Sequence, residues 1–219
     1  MDDRENPGRA AAFSIRVATR TDVPAIRELI PRSVRGLSVG FYSKAQVEAA
    51  IDRIFGVDTQ LIDDGTYFVA EGPGAIAGAG GWSRRRKLFG GDRLPEHETS
   101  SSPPRRVKRR RALQLGGGLF EGDPLKGDAP DDALDPRVDA ARIRAFFVDP
   151  SWARRGIGRA LLARCEEAAR SAGFSRLELL ATLPGVPLYT ALGYSPIRPA
   201  AEPLGEGLTL PALVMGKAI

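Results

Sequence analysis

The stretch Phe147-Val148-Asp149-Pro150-Ser151-Trp152-Ala153-Arg154-Arg155-Gly156-Ile157-Gly158-Arg159 limits what this chain can fold into more than any other part of it. Ala141 to Val148 reads as a strand, and Asp149-Pro150 stops it because proline has no N–H to donate to a ladder. From about Gly156 to Ala172 the spacing predicts a helix with Ile157, Leu161, Cys165, Ala168 and Ala172 on one face, and Gly173 provides its exit. A strand, a cationic glycine turn and a helix start in succession leave unpaired backbone N–H groups where an anion is favoured. Glycine at 156 and 158 lets a phosphate approach the backbone, and Arg154, Arg155 and Arg159 add charge-assisted contacts at the rim. Isolated glycines near a helix start are often merely permissive, but here the flanking strand and helix give the context that a pyrophosphate turn requires. No Gly-Lys-Ser or Gly-Lys-Thr ending is present, and no GxGxxG opens the first strand-helix unit, which excludes a Walker A loop and a dinucleotide fingerprint.

The rest of the chain supplies further strands and helices. Ile15 to Ala18 predicts a first strand. Thr21 or Asp22 is a candidate cap for a helix with Val23, Ile26, Leu29 and Ile30 on one face. Ser43 predicts a second helix cap, followed by Ala45, Val47, Ala50, Ile51 and Ile54 as apolar positions. The loop Arg35 to Tyr42 between the two suits either a substrate-side loop or plain packing. Tyr67–Glu71 and Ala75–Trp82 around Gly72-Pro73-Gly74 predict an antiparallel hairpin. Arg176–Leu180 predicts a strand, Pro187–Leu192 a short helix, Pro199–Gly207 a turn-rich stretch, and Leu208–Met215 a final strand.

These motifs, in this order, resemble the GNAT superfamily of acyl-CoA-dependent N-acyltransferases. Val148-Asp149-Pro150 with Gly156-Ile157-Gly158 resembles its acetyl-CoA motif, and Ile15-Arg16-x-Ala18-Thr19-x-x-Asp22 resembles its opening strand and helix. Leu188-Tyr189-Thr190-Ala191-Leu192-Gly193-Tyr194 resembles its Tyr-x-x-x-Gly-aromatic element. The likeness spans about residues 15 to 82 and 141 to 219. Two positions depart from the family pattern: Ala153 stands where Arg or Gln is usual, and Thr182 where Asn commonly precedes the last helix. The resemblance implies an α+β fold, with a mixed, mostly antiparallel sheet of about six to seven strands flanked by helices. It implies that the sheet splays between the strand ending at Val148 and that at Arg176–Leu180. It also implies that the pantetheine arm of acetyl-CoA pairs like an extra strand with Phe146, Phe147 and Val148, and that the acceptor is a primary amine on a small molecule or peptide.

Direct transfer from a thioester needs a neutral amine, an oxyanion site and a proton for the leaving thiolate. An ordinary lysine-like amine is neutral only about once in a few thousand molecules at pH 7. Tyr189 is the candidate proton donor, its alternative being a ring packed beside Leu188 and Leu192. A backbone N–H around Phe147 or Val148 is the candidate oxyanion donor. Glu71 and Glu178 are candidate bases, though each equally fits a solvated strand carboxylate, and a water chain is the alternative. Cys165 falls on the apolar helix face and reads as a small hydrophobe, while Trp82 and Trp152 read as packing residues.

Composition closes off other classes. One Cys and one His, His97, leave no disulfide and no zinc pattern, so no metal is expected. No segment has the apolar length of a membrane helix, and the opening MDDRENPGRAAAF is no signal sequence, so a cytoplasmic protein is expected. The net charge of +5 is concentrated in residues 84 to 111, which hold a local +8. Periodicity is lost from Ser83 to Asp139. The expected organisation is therefore a tail over 1–13 and one acetyltransferase domain over 14–219 carrying an irregular insertion at about 83–139. The basic run Arg105–Arg111 has no interleaved aromatics, and acidic residues from Glu121 to Asp139 compensate it, so nucleic acid is not the expected partner. The rival reading is a catalytically silent module of the same fold that binds nucleic acid or an acidic partner through this run. A homodimer is compatible with the sequence.

Overall fold

Strands buried on both faces need a layer of helices on each side, and this chain places its helices accordingly. The computed structural model describes residues 13–88, 92 and 133–219. The elements are β1 (Ser14–Val17), α1 (Val23–Leu37), α2 (Lys44–Arg53), α3 (Thr59–Asp63), β2 (Tyr67–Gly72) and β3 (Ala75–Ser83). Further along the chain come β4 (Ala141–Val148), α4 (Ile157–Ser171), β5 (Arg176–Thr182), α5 (Val186–Ala191), β6 (Ser195–Gly205) and β7 (Leu208–Ala218). They form one seven-stranded sheet in the order β1-β2-β3-β4-β5-β7-β6. Every pairing is antiparallel except β4 with β5. The expected α+β class and mixed sheet are therefore observed.

On one face α4 sets Leu161, Leu162, Cys165 and Ala169 against Phe68, Ala77, Ile143, Leu177 and Leu179. On the other, Ile26, Leu29 and Ile30 of α1 and Leu61 of α3 meet Tyr67, Val69, Ile76 and Phe147. Helix α4 lies close to β3 because Gly78 offers no side chain there: a Cβ at that position would lie 2.6 Å from Ile157. The buried helix face includes Leu162 and Ala169, whereas Ala172, expected on it, is exposed.

Asp22, one of the two expected caps, is the N-cap of α1; its carboxylate accepts from the Thr19 N–H (2.7 Å) and hydroxyl (3.0 Å), and the helix then runs through Pro31 to Leu37. Two local readings need correction. Ala45, an expected apolar position of α2, is exposed. The stretch expected to be turn-rich, Pro199–Gly207, is strand as far as Gly205. Its prolines are tolerated because β6 is the edge of the sheet, where a missing N–H on the outer side breaks no ladder. The short helix α3 had no counterpart in the sequence reading.

Between the two hairpin-paired strands, β3 ends at Ser83 and β4 begins at Ala141. The two ends of the connection meet in an antiparallel bridge between Arg85 and Ala133, with Leu134 N–H donating to the Arg84 carbonyl at 2.8 Å. Arg85 is anchored to Asp64 through two hydrogen bonds of 3.0 and 2.9 Å. The basic run Arg105–Arg111, His97 and the tail before Phe13 lie outside the described residues.

Asp22 is buried and held at both oxygens by Arg16 at 2.8 Å, and this hydrogen-bonded partner pulls its carboxyl down to about 2. A depressed carboxyl contributes stability above its unfolded-state value, and that contribution is lost as pH falls toward the folded-state value. Asp22→Asn should therefore narrow its stability gap to wild type between pH 4 and pH 2 in urea titrations. The gap itself should be about 2 kcal/mol at most, reduced by solvent because the Arg16 side chain is 38% exposed.

Candidate active site

The site is built where β4 and β5 part. Their parallel register runs only from Ala141↔Leu177 to Ile143↔Leu179. Ala145 then takes a left-handed conformation (φ 54°), and the Tyr67 hydroxyl donates to its carbonyl at 3.0 Å. At the same place the β3 register slips between Ala79 and Gly81, and Phe146 fills the space over Gly80, where a Cβ would lie 2.7 Å from its ring. Beneath the gap runs an ion pair between Arg144 and Asp58, their side chains 1% and 2% exposed.

Beyond Val148, Asp149 turns the chain: its carboxylate accepts from the Ser151 N–H (3.0 Å) and hydroxyl (2.6 Å) and from Arg32 of α1 (3.2 Å). Arg154 (φ 66°) and Gly156 (φ 88°) take left-handed backbone, and α4 starts at Ile157. A Cβ at Gly156 would touch nothing, so glycine serves the backbone conformation there rather than the space. The first N–H groups of α4 have no intrahelical partners.

A cleft of about 680 Å³ occupies the gap. Phe146, Phe147, Val148, Arg154, Gly156, Ile157, Gly158 and Arg159, expected as coenzyme residues, and Tyr189, the candidate proton donor, all line it. Arg155 does not line it; its guanidinium lies 5.0 Å over the Trp152 ring. A smaller cavity of about 60 Å³ adjoins the cleft and shares Phe55, Phe146, Phe147, Thr182 and Tyr189 with it; Arg144 and Leu88 are also in its wall.

Tyr189 lies between the two spaces. Its ring packs edge-on against Phe146 (6.4 Å) and Tyr194 (5.8 Å), so the residue does pack in the core. The chain has four tyrosines. The hydroxyl of Tyr67 is bonded to Ala145, that of Tyr194 to Glu166, and that of Tyr42 to Pro211 and Leu183. That of Tyr189 makes no hydrogen bond among the described residues. Burial raises its phenol above the ordinary range, which keeps it protonated.

The two candidate bases are engaged elsewhere: Glu71 accepts from Arg16 at 2.9 Å and Glu178 pairs with Arg142. Cys165 is fully buried and desolvation holds its thiol well up, as expected of a packing residue. Trp82 packs edge-on against Phe174 at 6.0 Å. Ser33 was missed by the sequence reading. Its buried hydroxyl accepts the Val148 N–H at 3.0 Å, so that donor, expected to face the coenzyme or an oxyanion, is already occupied. A lone serine on an amphipathic helix carries no sequence signal for such a role. Among the described residues no three or more His, Cys, Asp or Glu cluster as a metal site would require, and no helix is long and apolar enough to cross a membrane.

Comparison with known proteins agrees with this geometry. The model of the acetyltransferase (GNAT) family matches residues 118–194. A GCN5-related N-acetyltransferase from Rhodopseudomonas palustris superposes with a TM-score of 0.59 at 17% identity, covering 94% of this chain and 96% of that one. The PaiA N-acetyltransferase of Thermoplasma acidophilum, solved with coenzyme A, gives 0.55 at 12% identity over 95% and 99% of the two chains. YncA of Salmonella typhimurium, solved with acetyl-CoA, gives 0.53 at 16% over 94% of each. A search of curated proteins finds no significant match. Residues 118–194 thus match the acetyltransferase (GNAT) family model, and the chain as a whole has the fold of these N-acetyltransferase structures.

The ion pair beneath the gap gives a test of how the site is supported. Removing one partner of a buried pair leaves a desolvated charge, so Asp58→Ala should lower urea-measured stability by about 3–5 kcal/mol. Asp58→Leu combined with Arg144→Met, which removes both charges, should recover part of that loss.

Proposed function

We propose that the protein transfers an acetyl group from acetyl-CoA to a primary amine of a small molecule or peptide, by direct attack within a ternary complex. The uncommitted hydroxyl of Tyr189, at the junction of the two cavities, carries this reading. The backbone N–H groups of the first turn of α4 would hold the pyrophosphate, with Arg154 and Arg159 at the rim. Ala153 leaves most of that grip to the backbone. The pantetheine arm would lie along Phe146–Val148. Because Ser33 already takes the Val148 N–H, the arm must meet the serine hydroxyl or displace it there.

The amine reaches the thioester from the smaller cavity, whose largely apolar wall favours the neutral nucleophile. Attack forms the C–N bond and leaves a proton on nitrogen; collapse breaks the C–S bond and expels the thiolate. A thiol near the ordinary range of 8.5 is far more acidic than a phenol raised by burial, so complete proton transfer from Tyr189 is uphill. Tyr189 therefore donates a hydrogen bond to the departing sulfur, and the proton that ends on the thiol is the one the nitrogen releases. With Glu71 and Glu178 both paired, water in the cleft is the route for that proton.

Acetyl-CoA should raise the melting temperature, since a ligand that binds only the native state stabilises it by about 2.7 kcal/mol at a hundred times its Kd. With a panel of amines and a free-thiol readout, Tyr189→Phe should lower kcat at least tenfold, about 1.4 kcal/mol of transition-state stabilisation, with little change in the acetyl-CoA KM. Unchanged turnover would remove Tyr189 from the mechanism, and a melting temperature unmoved by saturating acetyl-CoA would remove the coenzyme.

A further inference from the structure

Strand β5 leaves its neighbour β7 at a defined rung. The last pair is Thr182↔Ala212, and in the same register the next residue, Leu183, faces Pro211. Those two backbones do not bond directly. The Tyr42 hydroxyl stands between them, accepting the Leu183 N–H at 2.8 Å and donating to the Pro211 carbonyl at 2.6 Å. Pro211 has no N–H to return, so this rung offers one donor and one acceptor, and a hydroxyl satisfies both. The phenol is raised by burial and stays protonated, as the bond to Pro211 requires.

The bridge joins the two walls of the cleft. Tyr42 follows Phe41 on the loop between α1 and α2, and Phe41 with Leu37 and Ser38 lines one wall. Leu183 lies between Thr182 and Pro184, which with Gly185 and Tyr189 form the other. Helix α2, which the loop leads into, is also held on β7, where Gln46 donates to the Thr209 carbonyl at 2.8 Å. Without the hydroxyl, β5 and β7 can close the rung directly or leave it open, and either shifts the turn that leads into α5.

We propose that Tyr42 is a positioning residue: its hydroxyl is inserted as an extra rung at the end of the β5–β7 ladder, fixes the spacing of the two cleft walls, and thereby places Tyr189 against the thioester. This rests on the acetyl-transfer reading above. The residue touches no reacting atom, so its effect should fall on kcat and not on coenzyme affinity, which is set at the α4 end of the cleft.

The test uses the full chain in three forms: wild type, Tyr42→Phe, and 3-fluorotyrosine at position 42, which keeps the hydroxyl but weakens it as an acceptor and preserves the packing. Thiol release from acetyl-CoA is followed with whichever amine of the panel supports turnover, alongside hydrogen exchange of the Leu183 amide. The expected result is a kcat at least tenfold lower for Tyr42→Phe and intermediate for fluorotyrosine, an acetyl-CoA KM within threefold, and faster exchange at Leu183 while Leu179 stays protected. If Tyr42→Phe fails to fold, the fluorotyrosine form decides: a kcat below wild type supports the proposal and one equal to it overturns it. A kcat within twofold of wild type for a folded Tyr42→Phe, or Leu183 exchange that does not change, also overturns it. A wild-type chain that releases no thiol with any amine would instead overturn the acetyl-transfer reading and this inference with it.

Discussion

After Ile143↔Leu179 no rung joins β4 to β5, although both strands continue. Parallel neighbours would ordinarily zip further, since each rung satisfies backbone groups that are costly to bury unpaired. Here the left-handed Ala145, an arrangement that costs a non-glycine residue about 1 kcal/mol or more, turns β4 out of register. It is kept in place from two sides: the fully buried Tyr67 bonds its carbonyl, and Phe146 is seated over Gly80. Every cavity wall described above depends on that departure, because a β4 paired throughout with β5 would leave no room for a ligand.

A split sheet needs support from elsewhere, and the two hydrophobic layers provide it separately. Helix α4 packs on one face against β2, β3 and β4, while α1 covers the other and meets the turn after β4 through Arg32 and Asp149. The buried Asp58–Arg144 pair adds a polar contact under the gap. Such a pair adds little net stability, since desolvation offsets much of the attraction, but it penalises any arrangement in which the two charges do not meet.

The parts of the site that are contiguous in the chain were legible in the sequence. β4, the Asp149-Pro150 stop, Gly156 and the first face of α4 follow one another, and each is signalled by local chemistry that no distant contact overrides. Tyr189 was legible only by resemblance, since a tyrosine on a short helix looks like packing and here does pack. What could not be read depends on residues far apart in the chain. Ser33 meets Val148, and Tyr42 meets Leu183 and Pro211, with nothing in their neighbourhoods to announce it. Arg155 carries the same charge as the adjacent Arg154, yet its guanidinium lies over the Trp152 ring instead of in the cleft wall. The prolines of β6 misled for a related reason: they disfavour a strand in general but not one at the edge of a sheet, and edge position is a property of topology.

The bridge between Arg85 and Ala133 acts as a clasp at the base of the β3–β4 connection. Because the two ends are fastened to each other and to Asp64 before the sheet resumes, the length of chain between them is decoupled from the register of β3 and β4. Closing a loop becomes only about 0.6 kcal/mol more costly with each doubling of its length, so this connection is free to lengthen or shorten while the cleft keeps its shape. The cleft-bearing sheet and the charged segment it carries can therefore change at different rates.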